Sequence, residues 1–224
     1  MVLFGASFTW NWDFVGQILP RMLKGLELTV LATLLIFAVS AILGFVFAML
    51  KRSRRRAVWI PAFAGTEFIR RTPELVQLYF IFYVLPTAGI TLPALTAGVL
   101  GLGIHYGTYM SEIYRGGIDG VPRGQWDAAL AMSLPRWRTW RTIVLPQAIP
   151  NILPAMGSLL ILMFKQTALL SAITVQELLA VGQQIGSETF DYVEPLFLAG
   201  FLYLIISYSA SLGVRALERR AAHA

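Results

Sequence analysis

A few polar side chains interrupt long apolar stretches of this chain, and these are its first candidates for chemistry. Glu112 lies in one such stretch, and Lys165, Gln166 and Thr167 interrupt another. A polar group at membrane depth is costly and often functional. The lysine, amide and hydroxyl can donate hydrogen bonds, whereas the Glu112 carboxylate can only accept them. These four residues therefore either line a path for a solute or pair helices with one another.

A second polar set, Arg70, Arg71 and Glu74, interrupts the apolar run that ends at Leu85. Arg71 lies about 21 Å from that end at the rise of an α-helix, near one surface of a membrane of ordinary thickness. A long basic side chain can reach water from that depth. We therefore expect a gate or an interface ion network there. Alternatively, Glu112 and Lys165 could join His105 in the proton or sodium relay of a secondary transporter.

The composition excludes several classes of function. Hydrophobic residues make up 57% of the chain and charged residues 13%, with a mean hydropathy of +0.66. A soluble domain is about half apolar and about a quarter charged, so we expect an integral membrane protein. The chain has no cysteine, its two histidines, His105 and His223, are too few for a metal cluster, and it has no phosphate-binding G-x-x-x-x-G-K-[ST] motif. No metal site, bound ATP or enzymatic activity is therefore expected in this chain.

Five apolar stretches are long enough to cross a membrane. We predict an all-α polytopic fold with one membrane domain over 1–224, spans at about 26–50, 58–85, 92–113, 146–170 and 195–214, and a polar loop at 118–145. Pro73 permits a kink in the second span. Small residues on the third span predict close helix packing: Ala94, Ala97, Gly98, Gly101, Gly103 and Gly107. Pro146, Pro150 and Pro154 share one face of the fourth span and predict a bend or local unwinding.

The basic residues indicate an orientation. Five lie within 51–56 after the first span, five within 115–141 after the third, and three in the tail, whereas 86–91 and 171–194 contain none. Cytoplasmic segments of membrane proteins carry an excess of Lys and Arg. We therefore predict an amino terminus outside and a carboxyl terminus in the cytoplasm. This distribution explains the net charge of +6 better than a nucleic-acid partner does.

The loop between the third and fourth spans contains QWDAALAMSLPRWRTWRTIVLP, residues 125–146. Alanine favours helix, so two short helices are predicted, with Ser133 at the turn between them. Pro135 suits the first turn of the second helix, and Pro146 suits the start of a third. The residues that define the pattern are Gln125, Asp127, Ala128, Ala129, Ser133, Ile143, Leu145 and Pro146.

This pattern resembles the E-A-A-x3-G-x9-I-x-L-P loop of the membrane subunits of bacterial ATP-binding-cassette importers, with Asp127 at the glutamate position and Ser133 at the glycine position. The resemblance implies the type I importer fold and a cytoplasmic coupling loop, at 118–145, that docks into an ATPase subunit. FIRRTPELVQ, residues 68–77, and KQTAL, residues 165–169, are similar to motifs of the polar amino-acid uptake branch, with Arg71 for glycine and Gln166 for aspartate.

The resemblance also implies partners and a location. We expect a permease in the bacterial inner membrane, with separate ATPase subunits that bind ATP and Mg, and a second permease copy or paralogue. A substrate-binding protein outside the membrane would deliver a small zwitterionic solute. The segment SAITVQELLAVGQQIGSETFDYVEP, residues 171–195, resembles permeases for ectoine and hydroxyectoine. For such a solute, Lys165, Gln166 and Thr167 would bind the carboxylate, and Glu112 would accept from the cationic nitrogen.

Overall fold

The computed structural model describes residues 9–221, which form helices and turns without a β-strand in that range. The first helix, α1, runs over Trp12–Lys51. It begins well before the predicted start at residue 26, because the Asn11 side chain accepts a hydrogen bond from the Phe14 amide (3.0 Å) and caps it. At about 60 Å, α1 is longer than a bilayer core of about 30 Å. His223 lies outside the described residues.

The predicted second span is broken. Helix α2 covers Arg56–Arg71, and α3 covers Glu74–Tyr79 and continues as a π-helical turn, Phe80–Val84, and a 3-10 turn, Leu85–Ala88. Thr72 and Pro73 are extended between α2 and α3. The Gln77 side-chain amide donates to the backbone carbonyls of Ile69 (2.6 Å) and Thr72 (3.0 Å) and so satisfies acceptors that the break frees. Pro73 thus ends the helix rather than kinking it.

The third predicted span is α4, Ala94–Asp119, which leads into the coupling loop. That loop contains α5, Arg123–Ala131, and a turn at Ser133. A second helix starts with the short α6, Arg136–Arg138, and continues through a π-helical segment, Thr139–Val144, into α7, Leu145–Gln166. The prediction of two helices with a turn at Ser133 is confirmed.

Helix α7 begins at Leu145, so Pro146 lies in its first turn as predicted, but the chain is already π-helical before it and no separate third helix starts there. Proline removes one backbone donor, and the wider π-helical turn before Pro146 accommodates that loss within a continuous helix. Helix α7 also continues through Pro150 and Pro154, so of the predicted bend or local unwinding the unwinding does not occur. The Gln147 side-chain amide donates to the Ile143 carbonyl at 2.9 Å.

After a 3-10 turn at Thr167–Ile173, the chain forms α8, Leu178–Thr189, and α9, Val193–Ala221. Buried side chains of the first part of α1 pack against both of these helices. The members of this cluster are Ile18, Met22, Leu178, Ile185, Leu198 and Ala199. The additional turns of α1 therefore serve as a support for α8 and α9.

The close packing predicted for the third span is confirmed. A Cβ atom on Gly103 would lie 2.6 Å from a Val39 side-chain carbon, and one on Gly44 would lie 2.5 Å from the Met110 Cβ. The Ser40 hydroxyl adds a hydrogen bond to the Gly103 carbonyl at 3.1 Å. Helices α1 and α4 therefore approach as closely as their backbones allow and form one packed pair.

Within the described range 9–221, three segments are long and apolar enough to cross a membrane: Trp12–Lys51, Arg136–Ile173 and Val193–Ala216. Their outer surfaces are rich in exposed apolar side chains, such as Leu34 and Ile42 on α1 and Phe201 on α9. These exposed side chains fit a hydrocarbon surrounding rather than water. The total of five spans stays a prediction.

Candidate functional site

Helix α5 projects its polar face outward at the end of the coupling loop. Gln125, Asp127 and Ala128 are exposed, and Leu130, beside them, is 79% exposed. Ala129, however, is only 2% exposed, because it packs inward and its carbonyl accepts the Leu134 amide at 3.0 Å. Ala129 therefore belongs to the support of this surface and not to the surface itself.

The turn after α5 needs a residue with a positive φ. Ser133 adopts φ of 49° there, and its amide donates to the Leu130 carbonyl at 2.9 Å. Glycine takes this left-handed conformation without steric cost, whereas other residues pay about 1–2 kcal/mol. This requirement explains why the pattern that the loop resembles has glycine at this position. Ser133 keeps the turn at some cost in stability.

A small apolar cluster fastens the coupling loop to the membrane part. Val144 is fully buried beside Ile118 on α4, whereas Leu145 and Pro146 of the predicted motif are exposed and Ile143 is half-buried. The rings of Trp126 and Trp140 meet edge to face, with centroids 5.7 Å apart. The sequence reasoning missed both tryptophans. Their presence in an otherwise charged loop was the available signal.

A cavity of about 410 Å³ opens between α5, α6 and the end of α1. Arg54, Asp127, Leu130 and Arg136 line it, together with the two tryptophans. The coupling loop therefore presents a mixed polar and apolar concavity beside its exposed helix. Such a surface suits a protein partner with both apolar and acidic side chains.

A partly buried ion network joins α1, α2 and α4. The Lys51 Nζ lies 2.7 Å from Glu112 Oε1, Arg115 Nη1 lies 3.3 Å from Glu112 Oε2, and Arg70 Nη1 lies 3.6 Å from Glu112 Oε1. Arg70 also pairs with Glu67. Three cations thus surround the Glu112 carboxylate, an arrangement typical of helix pairing. The sequence reasoning missed Lys51, which belongs to a basic run that was used only for orientation.

The predicted set of Arg70, Arg71 and Glu74 divides into separate contacts. The Arg71 Nε pairs with Glu67 Oε2 at 3.0 Å, and the Arg71 side chain is 79% exposed. Glu74 lies one helix further on, with its Oε2 3.7 Å from His105 Nε2. The Tyr106 hydroxyl donates to Glu74 Oε1 at 3.4 Å. Glu74 therefore contacts α4 at His105 and Tyr106, away from Glu112, and is not part of the ion network.

Lys165 stands at the far end of α7. It is exposed, and among residues 9–221 it forms no ion pair and no side-chain hydrogen bond. Gln166 is half-buried, and the buried Thr167 donates its hydroxyl to the Phe164 carbonyl at 2.6 Å. No group in this range accepts a hydrogen bond from the Lys165 ammonium, whereas the Thr167 hydroxyl already donates to a backbone carbonyl.

Lys165 and Glu112 do not meet. Helices α4 and α7 are antiparallel: Gly117 lies against Ile152, and Gly98 against Leu170. In this register Lys165 lies level with Gly103, nine residues or roughly 13 Å from Glu112 along the helix axis. Glu112 is instead engaged by Lys51, Arg115 and Arg70. One site shared by Lys165 and Glu112 stays a prediction.

Two acidic residues in the segment 171–194, which has no basic residue, are buried. Glu177 is 0% exposed and Glu194 is 1% exposed. Glu177 caps α8, since its oxygens accept the amides of Leu179 (2.9 Å) and Ala180 (2.7 Å), and it also accepts the Tyr203 hydroxyl at 2.7 Å. Glu177 thus caps a helix, whereas Glu194 Oε1 accepts the Asn11 amide before α1 at 3.3 Å.

Comparisons with known proteins agree with this architecture. Residues 40–223 match the family described as binding-protein-dependent transport system inner membrane component. The chain is 45% identical, over 95% of its length and 94% of the relative, to a probable amino-acid ABC transporter permease of Sinorhizobium fredii. It is 34% identical to the L-cystine transport system permease of Bacillus subtilis, over 93% of this chain and 90% of the other. The glutamine transport system permease of Escherichia coli is 33% identical, over 94% and 97%.

Solved structures point the same way. A chain of an amino acid ABC transporter crystallised with histidines superposes with a TM-score of 0.90 at 34% identity, over 95% of this chain and 100% of the other. A methionine ABC transporter, at 18% identity and a TM-score of 0.65, shares the fold over 93% and 99% of the two chains. The chain therefore belongs to the inner-membrane permease family of binding-protein-dependent ABC importers, as the permease subunit of an amino-acid importer whose ATPase is a separate subunit.

Proposed function

We propose that this permease docks its ATPase through α5 and the turn at Ser133, and that a second permease copy or paralogue completes the solute path. The observation that carries the docking proposal is the exposed face formed by Gln125, Asp127 and Ala128, supported from behind by buried Ala129. ATP and Mg act on the partner ATPase, while a substrate-binding protein delivers the solute from outside.

The test of docking is Ala128→Trp, which places a bulky ring on the exposed face of α5. We expect the variant to insert into the membrane, to lose co-purification of the ATPase and to lose uptake. Ala57→Trp, at an exposed position of α2, adds the same volume outside the coupling loop and should leave both readouts unchanged. Full uptake by the Ala128→Trp importer would show that the loop is only a linker.

We propose further that Lys165 binds the carboxylate of a zwitterionic solute. Its support is the free ammonium group at the end of a membrane helix, where an unpaired charge is costly and often functional. The Thr167 hydroxyl already donates to the Phe164 carbonyl, so Lys165 and Gln166 are the donors of this proposed site. Glu112 is paired with Lys51.

The solute-path proposal is tested in assembled complexes with Lys165→Met. ATP hydrolysis stimulated by the binding protein should persist, whereas solute accumulation should be lost. Lys24→Met removes another exposed lysine and should accumulate solute normally. Normal accumulation by the Lys165→Met importer would remove Lys165 from the path.

More narrowly, we propose that the solute is a polar amino acid or an amino-acid-like osmolyte such as ectoine or hydroxyectoine. Its support is the sequence of residues 171–195, which includes α8. Uptake of labelled ectoine into proteoliposomes, with competition by arginine, glutamine and cystine, tests it. Competition by those amino acids without ectoine uptake would eliminate the ectoine proposal and keep the amino-acid one. The same assay without ATP distinguishes an ion-coupled transporter.

A further inference from the structure

Lys51 differs from the rest of the basic run that follows α1. Its side chain is 2% exposed, whereas Arg54, Arg55 and Arg56 are exposed. Its Nζ is 2.7 Å from Glu112 Oε1 and 3.1 Å from the Ser111 hydroxyl, both on α4. A buried lysine is found where its charge is compensated. Removing one partner of such a pair strongly destabilises the fold, because the other charge is left buried and unpaired. Lys51 therefore has a role beyond orientation.

The Glu112 carboxylate is shared among three cations: Lys51 is the closest, Arg115 of the same helix lies 3.3 Å from Oε2, and Arg70 of α2 is the most distant. Lys51 holds Oε1 at 2.7 Å, whereas Arg70 of α2 approaches the same oxygen at 3.6 Å and also pairs with Glu67 on its own helix. Arg70 thus stands between two acceptors, one on α2 and one on α4. The ion pair between α2 and α4 depends on where Glu112 is held.

The position of this network connects the coupling loop with the break in the second span. Glu112 lies seven residues, or about 10 Å, before the end of α4 at Asp119, from which the chain continues into α5. Arg70 is the penultimate residue of α2, and only Arg71 separates it from the extended residues Thr72 and Pro73. Because α1 and α4 are closely packed, a displacement of α4 carries Lys51 and Glu112 together.

We propose that Lys51 is a positioning residue for energy coupling. It holds the Glu112 carboxylate where it can pair with Arg70, so that α2 moves together with α4 and the coupling loop. The proposal rests on the docking function of α5 given above. It identifies a physical link, Lys51 to Glu112 to Arg70, between the ATPase side and the helix break. Such a link predicts a change in coupling rather than in assembly.

The test measures solute accumulated per ATP hydrolysed by the complete importer in proteoliposomes. Lys51→Met should keep the ATPase bound and lower this ratio roughly five-fold or more, a typical size for coupling between sites. Lys51→Arg, which retains the charge, should restore most of the ratio. Arg52→Gln is the matched control, because Arg52 joins the same two helices through an exposed pair with Asp119. It should leave the ratio unchanged.

A double variant tests whether Lys51 and Arg70 act through the same link. Arg70→Met alone should lower the ratio as Lys51→Met does, and the two changes together should lower it no further than either one. Additive losses would show that the two cations act separately and would overturn the proposal. An unchanged ratio in assembled Lys51→Met complexes would overturn it as well.

Assembly defects are also informative. If Lys51→Met complexes do not assemble, Lys51→Gln, which keeps a donor for Ser111 and Glu112, replaces them in the same assay. If neither variant assembles while Lys51→Arg does, Lys51 serves folding alone and the proposal fails. Failure of the docking proposal is distinct: it appears as retained ATPase and uptake in Ala128→Trp, whatever the ratio of the Lys51 variants.

Discussion

At the scale of single residues, some buried polar groups are satisfied by partners from distant parts of the sequence. Glu177 is the clearest case, since its carboxylate is fully buried where α8 begins and meets Tyr203 of α9. A buried acceptor that loses a donor costs about 1–3 kcal/mol. Glu177 thus makes the position of α8 sensitive to a hydroxyl 26 residues away.

Tyr203→Phe should therefore lower the stability of the importer by about 1–3 kcal/mol, because the Glu177 carboxylate loses its 2.7 Å hydrogen bond. The measurement is the thermal midpoint of the purified complex. Tyr208→Phe is the matched control on the same helix, since the Tyr208 side chain is 59% exposed. Equal midpoints for both variants would contradict the inferred role of the hydroxyl.

The exposed pair between Arg21 and Glu188 predicts a pH dependence. The hydrogen bond from Arg21, with a second from Gln184, lowers the pKa of the Glu188 carboxyl below its ordinary value. A lowered carboxyl pKa stabilises the fold above the unfolded pKa, and this contribution is lost as the pH falls through the folded value. Wild type should exceed Arg21→Gln in thermal midpoint at neutral pH. The small difference should begin to shrink as the pH falls below about 4.3, the ordinary carboxyl value, and should vanish once the pH is below the pKa of Glu188 in the folded protein.

Lys24→Gln supplies the control for that pH series, because Lys24 is exposed and forms no ion pair within the described part of the chain. Its thermal midpoint should follow wild type across the series. A difference between wild type and Arg21→Gln that stays constant down to pH 3 would exclude titration of Glu188 as the cause.

At the scale of elements, close backbone approach decides which helices meet. Helix α4 packs on α1 through Gly103 and on α7 through Gly117, at the base of the coupling loop. The neighbouring Gly116 has open space around its missing Cβ. Two adjacent glycines of one helix thus have different roles that their sequence positions alone do not distinguish.

Gly117→Ala should destabilise the contact between α4 and α7 by about 1–3 kcal/mol, because the added Cβ would lie 2.2 Å from an Ile152 side-chain carbon. Gly116→Ala should be neutral or slightly stabilising, since alanine favours helix by about 1 kcal/mol over glycine. Thermal midpoints of the two purified complexes make the comparison. A larger loss for Gly116→Ala would reverse the assignment of the α4 face.

At the scale of the whole molecule, the distribution of basic residues predicts which side of the membrane each loop occupies. Because the chain has no cysteine, single cysteines are clean reporters of that orientation. Ser187 on α8 is exposed, and Ser53 follows α1 within the basic run. The two serines lie on opposite sides of the membrane if the predicted topology holds.

Ser187→Cys should react with an impermeant thiol reagent in intact cells, whereas Ser53→Cys should react only after the membrane is permeabilised. Reaction after permeabilisation confirms that the half-buried position 53 is reachable by the reagent. The reverse labelling pattern in intact cells would overturn the predicted topology.

The amino-acid sequence by itself determined the features that depend on local chemistry and periodicity. Apolar runs indicated a helical membrane protein, the small residues of α4 indicated close packing, and Ser133 marked a turn. Helix propensity, backbone sterics and the exclusion of polar groups from lipid act over short stretches, so they can be read from neighbouring residues.

Only the tertiary structure decided which charges meet. Lys51, Arg70 and Glu112 come from three helices, and no spacing along the chain relates them. The sequence likewise could not show that Ala129 faces inward, that Glu177 is buried, or that Lys165 lies at a different depth from Glu112. These outcomes follow from the register between packed helices. That register is determined by shape complementarity over many residues, and the resulting ion pairs form only after the helices have packed.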